Sequence, residues 1–426
     1  MLSLGLSAAR QRVFHETLAS SHSISIRVHI LDLNHKSLGE VSERLIGGQV
    51  NVDVTGETSS RSASVAFSDP DHSMNFDADS PDVSSVYLNR MLRIFYCVTG
   101  PLLADYAAAN PGVSAWVNVP VFTGPITAVS RDDSQVQVEC QGKEILAQGI
   151  AYTPHTYGKG WYRTTIIREI MFQTGETRFG LDSFLSKTAT PISLGGGSIP
   201  WDWAKSIAAG MGAHIFYDGR GVLRVRRYPT STQFTFRHGD GGSLVGAPSL
   251  SYRLDDVKNI VRVRGGVPAG AKSAVSVDAV APRTHPLSPW KLGRNGQPRY
   301  LLETIEDDTI KSRADALYVA SARLDQLMMQ STDVAFDVLP LPHLEPGDLI
   351  RLQTPDFSTA LRANVFVIPL TAGDTMSVGY MKVMRTGTYK RAPMVLSGTV
   401  PKPAKRKPRA LRPPSKKPKT SLNPFR

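Results

Sequence analysis

Five aspartates crowd one stretch of this chain, Asp69, Asp71, Asp77, Asp79 and Asp82, and clustered carboxylate oxygens are what a hard cation such as calcium binds. The stretch lacks the central glycine and distal glutamate of an EF-hand loop, so a solvated loop explains it more simply. Two further acidic groupings, Asp255-Asp256 and Glu306-Asp307-Asp308, could each give one member of a glycosidase carboxylate pair. Turn and helix-capping roles account for both. The ten histidines are scattered, with no His-Glu-x-x-His and no Cys-x-x-Cys to hold zinc. There is no Gly-x-Ser-x-Gly nucleophile elbow and no Walker-type glycine loop. Gly210-Met211-Gly212 lacks the third glycine of a dinucleotide fingerprint and ends a helix instead of opening one. Trp161, Tyr162, Trp201 and Trp203 are the aromatic groups that could stack on a sugar. Trp201 and Trp203 stand two apart on an expected helix and cannot form one platform, so core and interface packing is the expectation. Neither a cofactor nor a metal is expected, nor is catalysis.

Charge is concentrated at one end. The formal net charge is +12 over 426 residues. Residues 401–426 hold no acid and carry Lys402, Lys405, Arg406, Lys407, Arg409, Arg412, Lys416, Lys417, Lys419 and Arg426, which leaves only +2 for the rest. The body therefore does not have the charge of a nucleic-acid-binding domain. Seven prolines interleave these cations, deny the segment helix and ladder hydrogen bonds, and extend it. Lys402 to Lys419 are the candidate partner-binding residues. Three readings stay open for them: a solvated extension, a strap on an acidic neighbouring protein, or a phosphate contact without sequence readout.

The two cysteines, Cys97 and Cys140, lie in strand-like apolar runs and read as buried thiols of a protein made in a reducing cytoplasm. No apolar run approaches eighteen residues, so no membrane insertion is expected. A chain of this length exceeds one core. Residues 5–20 suggest a helix. Alternation over Ile24–Ile30, Gln49–Val54, Ser62–Phe67, Leu92–Val98, Val117–Val129 and Gln135–Cys140 predicts six strands with polar turns, the makings of a barrel or sandwich. Helices are expected at Thr164–Thr174, ended by Gly175, and at Trp201–Met211 after Pro200. A hairpin follows, His214–Tyr217 and Val222–Arg226 about Asp218–Gly221.

Strands return at Ile260–Arg264 and Ala274–Val280, and Ala281–Arg299, with four prolines, reads as a long loop. From Asp307 a helix of about five turns shows Ile310, Ala314, Leu317, Ser321, Leu324 and Met328 on one face, with Asp307 or Asp308 as its cap. After a short strand, Glu345-Pro346-Gly347-Asp348 reads as a type II turn into another strand. Val365–Leu370 and Ser377–Val383 close the body. The expected fold is mainly β with an α+β insert: an arm at 1–20, a barrel-like domain at 21–142, the insert at 143–248, a second barrel-like domain at 249–390 containing helix 309–329, and an extended basic tail at 391–426.

Several stretches, in this order, resemble the tail hub proteins of long-tailed bacteriophages, the baseplate-hub type of minor tail protein. They are Ser21–Val28, Ile46-Gly47-Gly48-Gln49-Val50 and Ala63–Pro70; Val121-Phe122-Thr123-Gly124-Pro125-Ile126, like the family's Phe-x-Gly-x-Ile strand; Ala213–Val225; and the helix closing on Leu344–Asp348. The resemblance spans about residues 20–385 and leaves the tail after Val400 unaccounted for. It implies two tail-tube-like β-barrels per chain and a homotrimer forming a pseudo-sixfold ring. That ring joins the tail tube or distal tail protein to the tip or spike and the tape measure protein, templates tube assembly, and lines a passage that DNA crosses without sequence recognition. It also implies a place at the virion tail tip after assembly in the host cytoplasm. The competing readings are a tail-tip enzyme that degrades cell wall and a receptor-binding module using residues 143–235 or 281–299.

Overall fold

The computed structural model describes residues 1–384, apart from 55–58, 77–85, 150–153, 189–190, 252–256, 329–332 and the single positions 240, 269, 309 and 357. Helix α1 (Ala8–Leu18) is capped by the Ser7 hydroxyl, which accepts from the Arg10 amide. Strands β1 (Ser23–Asp32), β2 (Ser37–Glu40), β3 (Leu45–Asp53), β4 (Arg61–Ser68) and β5 (Arg90–Thr99) follow. Next come α2 (Pro101–Ala109), β6 (Val117–Asp132) and β7 (Gln135–Gln141). The six strands expected from period-two patterning are all present. The short β2 and helix α2 are additions, the latter begun by Pro101 at its first turn.

The insert contains β8 (His155–Tyr157), α3 (Arg163–Phe172), β9 (Phe179–Leu181), β10 (Ile192–Leu194), α4 (Pro200–Ala209), β11 (Ala213–Tyr217) and β12 (Leu223–Arg227). Its core is local: Ile166, Ile167, Ile170 and Met171 of α3 pack with Trp201, Ala204 and Ile207 of α4 and with Leu223 and Val225. Strands β13 (Phe234–Arg237) and β14 (Leu244–Ser251) come next, then β15 (Ile260–Gly265), β16 (Ser276–Val280) and β17 (Leu302–Asp307), which form a three-stranded sheet. Helix α5 (Arg313–Met328) packs across β15 and β16, and with them builds a third core.

The buried face of α5 differs from the expected one. Ala316, Leu317, Ala320, Leu324 and Leu327 are buried, whereas Ala314 is exposed and Ser321 half-buried. The helix is rotated so that its alanines, not only its leucines, meet the sheet. Ser312, not Asp307 or Asp308, caps it, accepting the Asp315 amide at 3.1 Å. Asp307 belongs instead to β17.

Strands β18 (Asp333–Val338), β19 (Asp348–Gln353), β20 (Ser358–Ala363), β21 (Val365–Pro369) and β22 (Met376–Met384) complete the chain. One sheet of fourteen strands runs β13-β19-β20-β22-β21-β3-β4-β7-β6-β5-β1-β2, with β18 also on β22 and β14 on β18. The fold is mainly β, as its patterning implies. Its centre is the antiparallel pairing of β21 with β3, from Val365 opposite Asp53 to Pro369 opposite Gln49. That pairing covers two edges that would otherwise present free amides and carbonyls. Beneath it a single hydrophobic core runs from Val50, Val65, Phe67 and Val138 to Phe236, Phe336, Phe366 and Val378.

Two long strands bend the sheet. β6 pairs with β5 through its first part and with β7 through its second, and β22 hands over from β18 and β21 to β20. Register slips between Ile94 and Phe95 leave Val121 of β6 unpaired, a bulge that frees its carbonyl. Gly124 is required nearby, since a Cβ there would lie 2.0 Å from the Gln141 carbonyl oxygen.

Candidate functional site

The Glu345–Asp348 turn is where the molecule's distant segments meet. The Asp348 amide donates to the Glu345 carbonyl at 3.1 Å and Gly347 has φ +77, the geometry of the type II turn its residues predict. The Asp348 carboxylate closes the turn from inside by accepting the Glu345 amide at 2.8 Å. Both acids are almost wholly buried and both are matched by cations from elsewhere. Arg61, opening β4, donates from Nη2 to Glu345 at 2.8 Å and from Nη1 to the carbonyl freed at the Val121 bulge. Arg226 of β12 donates to Asp348 at 2.9 Å and to the Pro346 carbonyl at 2.7 Å. The amino group of Met1 reaches the same Asp348 oxygen at 2.5 Å.

The insert is bolted to this point. The Gly219 amide donates to Glu345, and the Gly219 carbonyl accepts from Thr123 of β6 at 3.0 Å. His214 of β11 lies beneath Gly347, where a Cβ would fall 2.5 Å from the imidazole Cε1. Its Nε2 accepts from Arg226 Nε at 3.0 Å, so the ring is held neutral, and burial followed by Arg226 pushes its pKa well down. A second buried pair lies just past the end of β7, where Lys143 meets Glu176 at 2.6 Å.

The electrostatics here are those of a buried joint. Burial pushes Glu345 up to about 7, against the pull of Arg61 and with help from Asp218 and Asp348. A carboxyl in that range could act as an acid or base. It is 2% exposed, however, and its oxygens are spent on Arg61 and the Gly219 amide. Among the described residues no group of three or more His, Cys, Asp or Glu side chains converges to hold a metal ion.

A separate open groove of about 490 Å³ runs between α1 and β13, lined among others by Gln11, Arg12, His15, Phe234, Arg237 and Ser243. At its wall the Nε2 atoms of His15 and His343 lie 3.0 Å apart. Burial, then His15, lowers His343 to about 3. One imidazole therefore donates to the other and the pair carries no charge near neutrality.

The residues singled out by sequence fare as follows. Lys402, Lys405, Arg406, Lys407, Arg409, Arg412, Lys416, Lys417 and Lys419 lie outside the described residues, as do Asp77, Asp79, Asp82, Asp255 and Asp256. Asp69 is filled by Arg44, Arg131 and the Met74 amide, and Asp71 by Arg44 and Ser73, so cations of the chain itself hold these acids. Glu306 pairs with Arg264, and Asp307 accepts from Ser206. Cys97 and Cys140 are free and buried, with burial pushing the Cys97 thiol up to about 11. Trp201 is buried against Tyr217 and Trp203 packs on the insert core, but Trp161 and Tyr162 are exposed, contrary to a core role. Arg61 and Arg226 carried no local signal for the joint, because Glu345 and Asp348 stand more than a hundred residues from them, whereas His214 meets Arg226 within the hairpin itself. Among the described residues no helix is long and apolar enough to cross a membrane.

No protein-family model matches the chain, and neither does any curated protein. Solved structures do. The tail protein from Neisseria meningitidis MC58 superposes with a TM-score of 0.56 at 10% identity, over 85% of this chain and 97% of that one. The 43 kDa tail protein of prophage MuSo2 from Shewanella oneidensis gives 0.56 at 10% identity, over 84% of this chain and 98% of its own. At such identity the likeness is one of architecture: this chain has the fold of those two tail proteins nearly from end to end.

Proposed function

We propose that the chain is a structural component of a phage-type tail, the hub at the tail tip. In this reading three copies close into a pseudo-sixfold ring. The ring joins the tail tube or distal tail protein on one side to the tip or spike and the tape measure protein on the other, templates the tube, and leaves a lumen for DNA. The observation that carries the reading is the β21–β3 seam, which joins the early and late strands of the chain in one sheet over one core. A trimer of such chains offers six strand-rich units around an axis, and closed rings hide repeated interfaces. The fold shared with tail proteins over nearly their whole length supports it. The buried joint at Glu345–Asp348 supports it further, since it locks the insert to both halves and has no access for a substrate. The segment Lys402–Lys419 is then a strap for an acidic neighbour in the tail. Light scattering with negative-stain imaging tests this: the expected particle has three times the 46.4 kDa chain mass and a central hole. A protein that stays monomeric alone and with its tail neighbours rejects it.

One observation favours a binding role for the insert within that assembly. Trp161, Tyr162 and Leu185 are 40%, 42% and 85% exposed. Residues 160–163, which hold both aromatic rings, bond to 186–188, the stretch that directly follows Leu185. Exposed apolar side chains gathered in one patch mark interaction surfaces. Binding of the full chain to host cells, lost in Trp161→Ala, separates a receptor-binding module from a purely internal contact.

A further inference from the structure

A second polar cluster, not used by the joint, lies where the β1–β2 turn meets the insert. Asp32 pins this turn by accepting the amides of Asn34 and Lys36 through one oxygen. His35 is thereby held at φ +67, a conformation that side-chain-bearing residues adopt seldom and that clusters at functional positions. Its imidazole faces three cations. Lys143 Nζ lies 2.8 Å from Nε2, while Arg178 Nη1 and Arg93 Nη2 lie 3.2 and 3.4 Å from Nδ1.

These contacts cannot all be hydrogen bonds. A neutral imidazole has one acceptor nitrogen and one N–H, so in either tautomer an N–H points at a cation. The nearby acids do not relieve this. Glu176 is matched by Lys143, and Glu144 is turned to Ser59 and Ser60. Among the described residues the Arg93 guanidinium otherwise reaches only the Thr123 hydroxyl, and that of Arg178 only the Arg220 carbonyl. Among the described residues neither guanidinium has a carboxylate within ion-pair distance. Two half-buried, uncompensated charges side by side are unfavourable, and burial together with Arg178 lowers the pKa of Arg93.

We infer that His35, Arg93 and Arg178 form a site for one oxyanion group, a phosphoryl or a carboxylate, seated between the two guanidiniums. With an anion there the conflict disappears. Lys143 donates to Nε2, the Nδ1–H donates to the anion, and the guanidiniums supply the charge-assisted bonds that favour planar or tetrahedral oxyanions. The source is either a small phosphorylated solute or an acidic side chain of another protein.

Thermal unfolding of the full chain at constant ionic strength tests the site, with inorganic phosphate, acetate or chloride as the varied anion. Phosphate is expected to raise the melting temperature in proportion to the logarithm of its concentration. Arg93→Met and Arg178→Met each weaken the apparent phosphate affinity by about tenfold or more, yet melt no lower than the parent in chloride. Arg27→Met, which breaks an exposed pair with Glu40, leaves the phosphate response intact. A response to phosphate alone supports a phosphorylated solute, and an equal response to acetate supports a protein carboxylate. Should either arginine variant fail to fold, the NMR signals of ring-labelled His35 in the parent replace it: phosphate must bring them to the Nδ1–H form. No response to either anion beyond chloride, or an undiminished response in both variants, overturns the site.

Discussion

Glu345 is a carboxyl that folding handles badly in one respect and uses in another. Arg61 stands 2.8 Å away, yet desolvation outweighs that attraction and lifts the pKa from 4.5 to about 7. The folded chain thus binds a proton at Glu345 more tightly than the unfolded chain does. The stability this contributes is full below pH 4.5 and is lost as pH rises through about 7, by on the order of 3 kcal/mol. In Glu345→Gln that loss vanishes. Urea unfolding should show the parent falling relative to the variant between pH 4.5 and 7, and a constant difference would mean the carboxyl is not perturbed. The readout is the slope, because glutamine also leaves Arg61 without its counterion. Two residues on, Gly347→Ala meets two separate obstacles, the positive φ and the His214 ring. The backbone alone should cost about 1–3 kcal/mol. Adding His214→Ala should recover only the steric part, measured as a double-mutant cycle.

Helix α5 shows how an element can be legible in kind and wrong in rotation. Its apolar positions admit two neighbouring stripes, and only the sheet beneath it decides that Ala316 and Ala320, rather than Ala314 and Ser321, face inward. Leu324→Ala should therefore cost about 2–5 kcal/mol, whereas Ala314→Glu should change stability by less than about 0.5 kcal/mol. A large loss from Ala314→Glu in chemical unfolding would restore the stripe read from periodicity. Other elements divide by the same logic. Helices α3 and α4 and the β11–β12 hairpin were legible because caps, glycines and periodicity act within a few residues. Strand β13 has four residues and pairs in parallel with β19, more than a hundred residues on. Strand β17 likewise becomes a strand by lying parallel to β15. Neither carries its partner in its own sequence. The joint was half legible for this reason. The turn at Glu345–Asp348 is written in four consecutive residues, but the arginines that neutralise it arrive from β4 and β12.

At the scale of the molecule the three cores make different claims on cooperativity. The insert core and the core under α5 are each built from sequence-local elements, whereas the largest crosses the β21–β3 seam and belongs to both ends of the chain. A unit whose core is shared unfolds as one body, and a unit with its own core can open by itself. Phe366 sits in β21 opposite Val52 of β3 and is wholly buried, so Phe366→Ala tests the seam. It should cost about 3–5 kcal/mol, and the amides of β3 and β4 should lose hydrogen-exchange protection together with those of β18 and β22. Leu324→Ala, by contrast, should lower protection in β15, β16 and α5 first. If Phe366→Ala exposes only the amides after residue 333, the two halves are separate bodies. The proposed pseudo-sixfold ring, which needs both units held together in one chain, would then lose its support.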